Sequence, residues 1–348
     1  MQALRIPLAG TPELAGRIKH KIDRKTKPLG ALGMLEGLAL HLGMIQGTDS
    51  PHIHAPHLLV FAGDHGVAAE GVSAYPQEVT WQMVMNYLAG GAAVNVFARP
   101  QGLAVDVVDA GVNHVFEPHP HLLDRKIGMG TKNFAREPAM SLAQCEAALE
   151  AGSRAARSLS VLGSNLLAVG EMGIANTTSA AALMARFTGM AAEACIGRGT
   201  GVDDAGLARK REVIRQALIL HRGAATPLEA LAALGGFEIA MMAGAMLGAA
   251  QERMIILVDG FIAGSALLAA QAMAPGVVDY CVFAHQSEET GHVAMLKHFN
   301  AEPLLKLHLR LGEGSGAALA LPLLRAACDF LNQMASFESA GVADQGAR

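Results

Sequence analysis

Aromatic residues are scarce in this chain of 348 residues: 4% in all, with one Trp and three Tyr. Its apolar half is drawn mostly from Ala, Leu, Val and Met, which suits helices packed closely on a sheet better than an aromatic-rich β-sandwich. Charge is sparse too. Lys and Arg number 27 against 31 Asp and Glu, a net charge of −4 with no long basic run. Nucleic acid and acidic membrane surfaces both need a concentrated basic face, so neither is expected as a partner. The four cysteines, Cys145, Cys195, Cys281 and Cys328, stand far apart with no CxxC pair, which argues against a disulfide framework or a zinc cluster. Mean hydropathy is +0.31, yet clean membrane spans are missing. The uncharged stretch 79–98 carries Gln82, Asn86 and Asn95, and 260–278 carries Ser265, Gln271 and Pro275. The opening MQALRIPLAGTPELAGRIKH lacks the apolar core of a signal peptide. A soluble, cytoplasmic, globular protein is the expectation, of two domains or of one large domain with an appendage.

What is present is a repeated pattern. Apolar runs rich in Val, Ile and Leu each end in a cluster of Gly and polar residues: HLLVFAGDHG (57–66), LAVDVVDAGV (103–112), NLLAVGEMG (165–173), MIILVDGFIAG (254–264) and VDYCVFAHQS (278–287). Continuous rather than alternating apolarity marks strands buried on both faces. Helical patterns separate them: one opened by Ser141-Leu-Ala-Gln144, then Thr178 to Phe187, Asp204 to Leu220, Pro227 to Ala250 and Ala263 to Met273. The alternation predicts an α/β fold, an open, mostly parallel, Rossmann-like sheet with helices on both faces. Residues 1–50 read as helices around the loop KTKPLGALGMLE (25–36), and the chain turns helical again from Ala317 to Phe337. The expected division is therefore an α/β catalytic domain, 51–310, and a small helical subdomain built from both ends, 1–50 and 311–348.

Ligands of an open parallel sheet bind beyond the carboxyl ends of its strands, which is where these polar clusters fall. Glu171-Met172-Gly173-Ile-Ala-Asn176-Thr177-Thr178 leads from a strand into a helix, whose free N–H groups suit an anion; an ordinary capped turn fits the same residues. Gly260 to Ser265, after Asp259, repeats the logic. Gly197-Arg-Gly199-Thr200-Gly201 opens the helix carrying Lys210, which either reaches a phosphate or lies on a solvated face. No GxxxxGK[ST] occurs, so a P-loop is excluded. Gly312-Glu313-Gly314-Ser315-Gly316-Ala317 formally fits a dinucleotide fingerprint, but too little chain follows for the second strand with its ribose-binding acid. The lone Glu313 between glycines instead suits a general base, whose pKa desolvation raises toward working pH. His285, Glu288, Glu289 and His292, with Asp64-His65, fit either a metal site lacking a placeable third ligand or a hydrogen-bonded polar cluster. Tyr75-Pro76, with Ser73, Gln82 and Met83, fits a pocket for a flat ring or plain loop packing.

Taken in order, KPLGALGMLE (27–36), FAGDHGVAAEGVSAYPQEVT (61–80), VGEMGIANTTSAAAL (169–183), GRGTGVDDAGLARK (197–210), ILVDGFIAGSALLA (256–269), FAHQSEETGH (283–292) and RLGEGSGAALALPLL (310–324) resemble the nicotinate-nucleotide:dimethylbenzimidazole phosphoribosyltransferase (CobT) family over nearly the whole chain. KPLGAL stands for the more usual KPPGSL, and Ser315 for Thr. The resemblance implies transfer of phosphoribose from nicotinate mononucleotide to 5,6-dimethylbenzimidazole, giving α-ribazole 5′-phosphate and nicotinate, by a homodimer without metal or other cofactor. It implies Glu313 as general base and Glu171 as a second acid. Ser73, Tyr75, Gln82, Met83, Met172 and Leu311 would line the benzimidazole pocket. Gly173, Asn176, Thr177, Gly199, Lys210, Asp259, Gly264 and Ser287 would surround the nucleotide. Alternatives are the same reaction with adenine or a phenol, a nucleotide-binding module without chemistry, and a nicotinamide-dependent dehydrogenase, the last weakened by the lack of a well-placed fingerprint.

Overall fold

The computed structural model describes residues 5–199 and 201–343; Thr200 and the outermost residues of both ends lie outside the described residues. Six strands form one parallel sheet: β1 (His57–Gly63), β2 (Ala104–Gly111), β3 (Leu122–Asp124), β4 (Leu166–Met172), β5 (Ile255–Val258) and β6 (Cys281–Phe283), in the order β3-β2-β1-β4-β5-β6. The order reverses between β1 and β4, which pair from His57–Leu167 to Ala62–Met172. A crevice opens at such a reversal, beyond the carboxyl ends. Five strands coincide with the five apolar runs, because both faces are covered: in β1 every residue after His57 is buried, and in β5 all four are. The sixth, β3, is a half-exposed edge of three residues.

The helices follow their capping signals. Ser141 and Gln144 exchange side-chain bonds with each other's N–H to open Leu142–Val161. Asp203 accepts from Gly206 N at 2.8 Å to open Asp204–Leu220. One expectation is corrected. The stretch Pro227 to Ala250 is two helices, Pro227–Leu234 and Phe237–Gln251, broken at Gly235-Gly236. Gly236 lies against the His65 ring and the Glu238 carboxylate, where a Cβ would collide with both. The break lets the fully buried His65 reach Glu238, Nε2 to Oε1 at 2.6 Å.

The two chain ends meet. Lys21 Nζ donates to Asn332 Oδ1 and Lys25 Nζ to the Met334 carbonyl. Helix Ser315–Gln333 packs on Met34–Gln46 and on β4. One continuous cluster of buried side chains runs from Leu14 through the sheet to Leu331. Among the described residues no helix is long and apolar enough to cross a membrane.

Candidate active site

The cleft beyond β4, β5 and β6 is narrow, about 90 Å3, and partly open to solvent. Ten of the sixteen residues to which the resemblance gives a role line it: Glu171, Met172, Gly173, Asn176, Thr177, Gly199, Asp259, Ser287, Leu311 and Glu313.

Its acidic side is built by two backbone turns. Glu171 is the penultimate residue of β4, and the chain then turns through Ala175 (φ +74°) into helix Asn176–Thr188. That turn is pinned from outside by Thr80, whose Oγ1 accepts from Ile174 N at 3.1 Å. Asn176 Nδ2 donates to the Glu171 carboxylate. The second turn, Gly312-Glu313-Gly314, has three successive positive φ values, +82°, +66° and +85°. For Glu313 the left-handed region costs about 1–2 kcal/mol, so the surroundings must impose it. Glu313 N points at Glu171 Oε1, 3.4 Å away, while Glu313 Oε2 is buried without a protein partner.

Burial pushes the Glu171 carboxyl up to about 8, with Asp259 and Glu238 adding to the rise and the Asn176 amide opposing it. Burial also raises Glu313, Asp259 adding and the nearby Tyr87 hydroxyl opposing. Glu171 is therefore protonated at neutral pH, whereas Glu313 keeps a free oxygen toward the cleft.

Behind Thr177, and not itself on the cleft wall, lies a buried cation. Lys210, 1% exposed, donates from Nζ to Thr177 Oγ1 at 2.7 Å. The solvated-face reading of Lys210 is thereby corrected. Gly199 (φ +55°) covers this pair, and a Cβ there would sit 2.6 Å from Thr177 Oγ1 and 3.3 Å from Lys210 Nζ. Only glycine brings a backbone N–H so close. Burial lowers Lys210 to about 8, with Glu289 opposing. An ammonium held dry beside a hydroxyl and a helix N-terminus is a seat for an anion.

The polar cluster after β6 is internally bonded. His292 Nδ1 accepts from Ser287 N at 2.8 Å, and burial, then His285, lowers this imidazole to about 3. No group of three His, Cys, Asp or Glu among the described residues is arranged to hold a metal ion. Other singled-out residues lie off the cleft wall. Gly264 packs on Met295, where a Cβ would strike its sulfur. Ser73, Gln82 and Met83 do not line the cleft, and Tyr75 is 54% exposed. Sequence reasoning missed Tyr87, in helix Val79–Leu88, which is buried with its hydroxyl unpartnered near Glu313 and Glu171. Its helical spacing reads as core.

A family model described as "Phosphoribosyltransferase" matches residues 10–342. The nicotinate-nucleotide--dimethylbenzimidazole phosphoribosyltransferase of Aromatoleum aromaticum is 60% identical, the match covering 96% of this chain and 97% of the relative. The protein of that name from Dechloromonas aromatica is 56% identical over 94% of this chain and 95% of its own. Among solved structures, CobT from Thermus thermophilus superposes with a TM-score of 0.93 at 48% identity, covering 95% of this chain and 99% of that one. The chain belongs to the nicotinate-nucleotide--dimethylbenzimidazole phosphoribosyltransferase (CobT) family.

Proposed function

We propose that this enzyme moves phosphoribose from nicotinate mononucleotide to 5,6-dimethylbenzimidazole, yielding α-ribazole 5′-phosphate and nicotinate in cobalamin nucleotide-loop assembly. The observation that carries this reading is the polarity of the cleft: Thr177 and Gly199, backed by the buried Lys210 bonded to Thr177, offer an anion seat, and the buried carboxyl groups of Glu171 and Glu313 line the same cleft. The phosphate rests at the first, so the anomeric carbon comes to the second. The C1′–N bond to the nicotinate ring breaks and its electron pair neutralises the pyridinium, so departure needs little acid. The incoming azole attacks through one nitrogen and would become cationic. Glu313 takes the proton from its other nitrogen. The ionised Glu313 beside the ribose stabilises the oxocarbenium-like state. Attack from the opposite face inverts β-nucleotide to α-product. Met172 and Leu311 shape the acceptor end, to which the resemblance adds Ser73, Tyr75, Gln82 and Met83. Gly173, Asn176 and Ser287 contact the nucleotide. A cytoplasmic homodimer, with the two chain ends forming one helical unit on the sheet domain, completes the reading.

Incubating the purified protein with nicotinate mononucleotide and dimethylbenzimidazole is expected to give ribazole phosphate by mass spectrometry. A product with adenine or a phenol in its place, and none with the azole, overturns the acceptor; nucleotide binding with no product from any acceptor overturns the chemistry.

Lys210 adds a pH signature. A bound phosphate stabilises the ammonium and raises its pKa from about 8, so the charged form binds more tightly. Nucleotide affinity is expected to be flat from pH 7 to 8. Above that it falls by up to about tenfold per pH unit, with proton uptake on binding. Calorimetry in buffers of different ionisation enthalpy reads the uptake directly; affinity constant to pH 9.5 with none removes Lys210 from the phosphate.

A further inference from the structure

The left-handed turn that presents Glu313 has no conformational preference of its own to hold it, and the residues that impose it surround its backbone. Gly170, in β4, offers a bare Cα to the Glu313 carbonyl, where a Cβ would collide. The larger contribution comes from Asp259, the residue after β5. Its Oδ2 accepts from Gly314 N at 3.3 Å and its Oδ1 from Ala317 N at 2.9 Å. The carboxylate thus spans the end of the turn and the first turn of helix Ser315–Gln333. It is buried, and it also lies just ahead of helix Phe261–Met273, so the positive ends of two helix dipoles converge on it. His285 closes the third side, its Nε2 3.7 Å from Asp259 Oδ1 and its ring against Gly316.

Both oxygens of Asp259 are therefore engaged by backbone of the segment that carries Glu313. Asp259 borders the cleft, but the hydrogen bonds that its carboxylate makes run to the turn behind it. We infer that Asp259 is a positioning residue, which holds the Gly312-Glu313-Gly314 turn so that the Glu313 carboxylate faces the anomeric carbon. The inference rests on the proposed role of Glu313 and changes the role that family resemblance implies for Asp259, from contacting the nucleotide to aiming the base.

The test compares Asp259→Ala, Asp259→Asn and Glu313→Gln. Aim matters steeply, since misplacement by about 1 Å costs about a hundredfold in rate. Asp259→Ala is expected to lower kcat about a hundredfold while the Kd for nicotinate mononucleotide stays within about threefold. Asp259→Asn keeps one acceptor oxygen and is expected to recover about a tenth of wild-type kcat. Amide hydrogen exchange at Gly314 and Ala317 is expected to accelerate in both variants without any substrate. Asp259→Asn, nearly isosteric, carries the test if the Ala variant does not fold. A weakened nucleotide Kd with kcat retained makes Asp259 a ligand and overturns the inference; so does unchanged kcat, or unchanged exchange. A Glu313→Gln variant that keeps turnover defeats the Glu313 reading itself, whereas an inactive Glu313→Gln beside a fully active Asp259→Ala defeats the positioning role alone.

Discussion

Replacing Glu313 by Gln is expected to lower kcat by about two to four orders of magnitude, the usual contribution of a general base, and to leave the Kd for nicotinate mononucleotide within about threefold. Gln has nearly the shape of Glu and the same cost at a positive φ, so the turn held by Asp259 and Gly170 is preserved. What disappears is the basic oxygen. Glu171 cannot substitute at neutral pH, because burial and the neighbouring Asp259 and Glu238 push its carboxyl up to about 8 and it carries a proton there. The same physics sets the wild-type pH profile. Glu313 works ionised, and burial raises its pKa, so turnover is present above that raised value and is lost as pH falls through it. The acid limb is expected above the ordinary carboxylate value of about 4.3. Single-turnover rapid quench separates chemistry from binding and release. A Gln variant within tenfold of wild type, or an acid limb unchanged by the substitution, removes Glu313 from the base role.

How far such a site can be read from residues depends on what each side chain's neighbours are. Glu171 is legible because it ends an apolar run that can only be a covered strand, and Glu313 because a lone acid between glycines serves no packing purpose. Lys210 is half legible: LARKREVIRQ looks solvated, and only the fold, by laying Gly199 and Thr177 over its end, turns one cation of that helix inward. Tyr87 is illegible, since a Tyr at helical spacing is core until the turn bearing Glu313 is folded against it. The sheet divides the same way. β1, β4 and β5 announce themselves by burial on both faces. β3, at the edge with its residues only partly covered or exposed, is Leu122-Leu123-Asp124, too short to give an apolar run. The Gly235-Gly236 break hides inside a helical pattern because its cause, the passage of His65 to Glu238, comes from the loop after β1, far earlier in the chain.

The largest effect on stability is expected at Gly244, where helix Phe237–Gln251 crosses Leu142–Val161. The two backbones interlock through three glycines: a Cβ on Gly244 would run into the Leu149 carbonyl, one on Gly152 into that of Met241, and one on Gly248 would come within 2.7 Å of Ser153 O. Carbonyls cannot rotate aside as side chains do, and helix 237–251 is buried from Phe237 to Ala250, so the helices can only part. Overpacking of this kind costs about 1–3 kcal/mol per added methyl. Gly244→Ala is therefore expected to lower Tm by about 2–8 °C, and Gly244→Val to leave no cooperative transition. The site is expected to register the shift. Glu238, in the first turn of the same helix, bonds His65 beyond β1, and its Oε2 lies against Gly63, whose carbonyl packs on Gly173 beside Asn176. A parted helix pair thus loosens the Glu171 end of the cleft, and Gly244→Ala is expected to lose a few-fold in kcat as well. Gly16→Ala is the control. Gly16 lies in helix Pro12–Asp23 with nothing within 4 Å of a new Cβ, so the helix propensity of Ala is expected to stabilise it by up to about 1 kcal/mol. Thermal melts of the two Ala variants side by side decide the matter. Opposite shifts assign the loss to the crossing backbones, and equal shifts leave the glycines of this helix pair without that role.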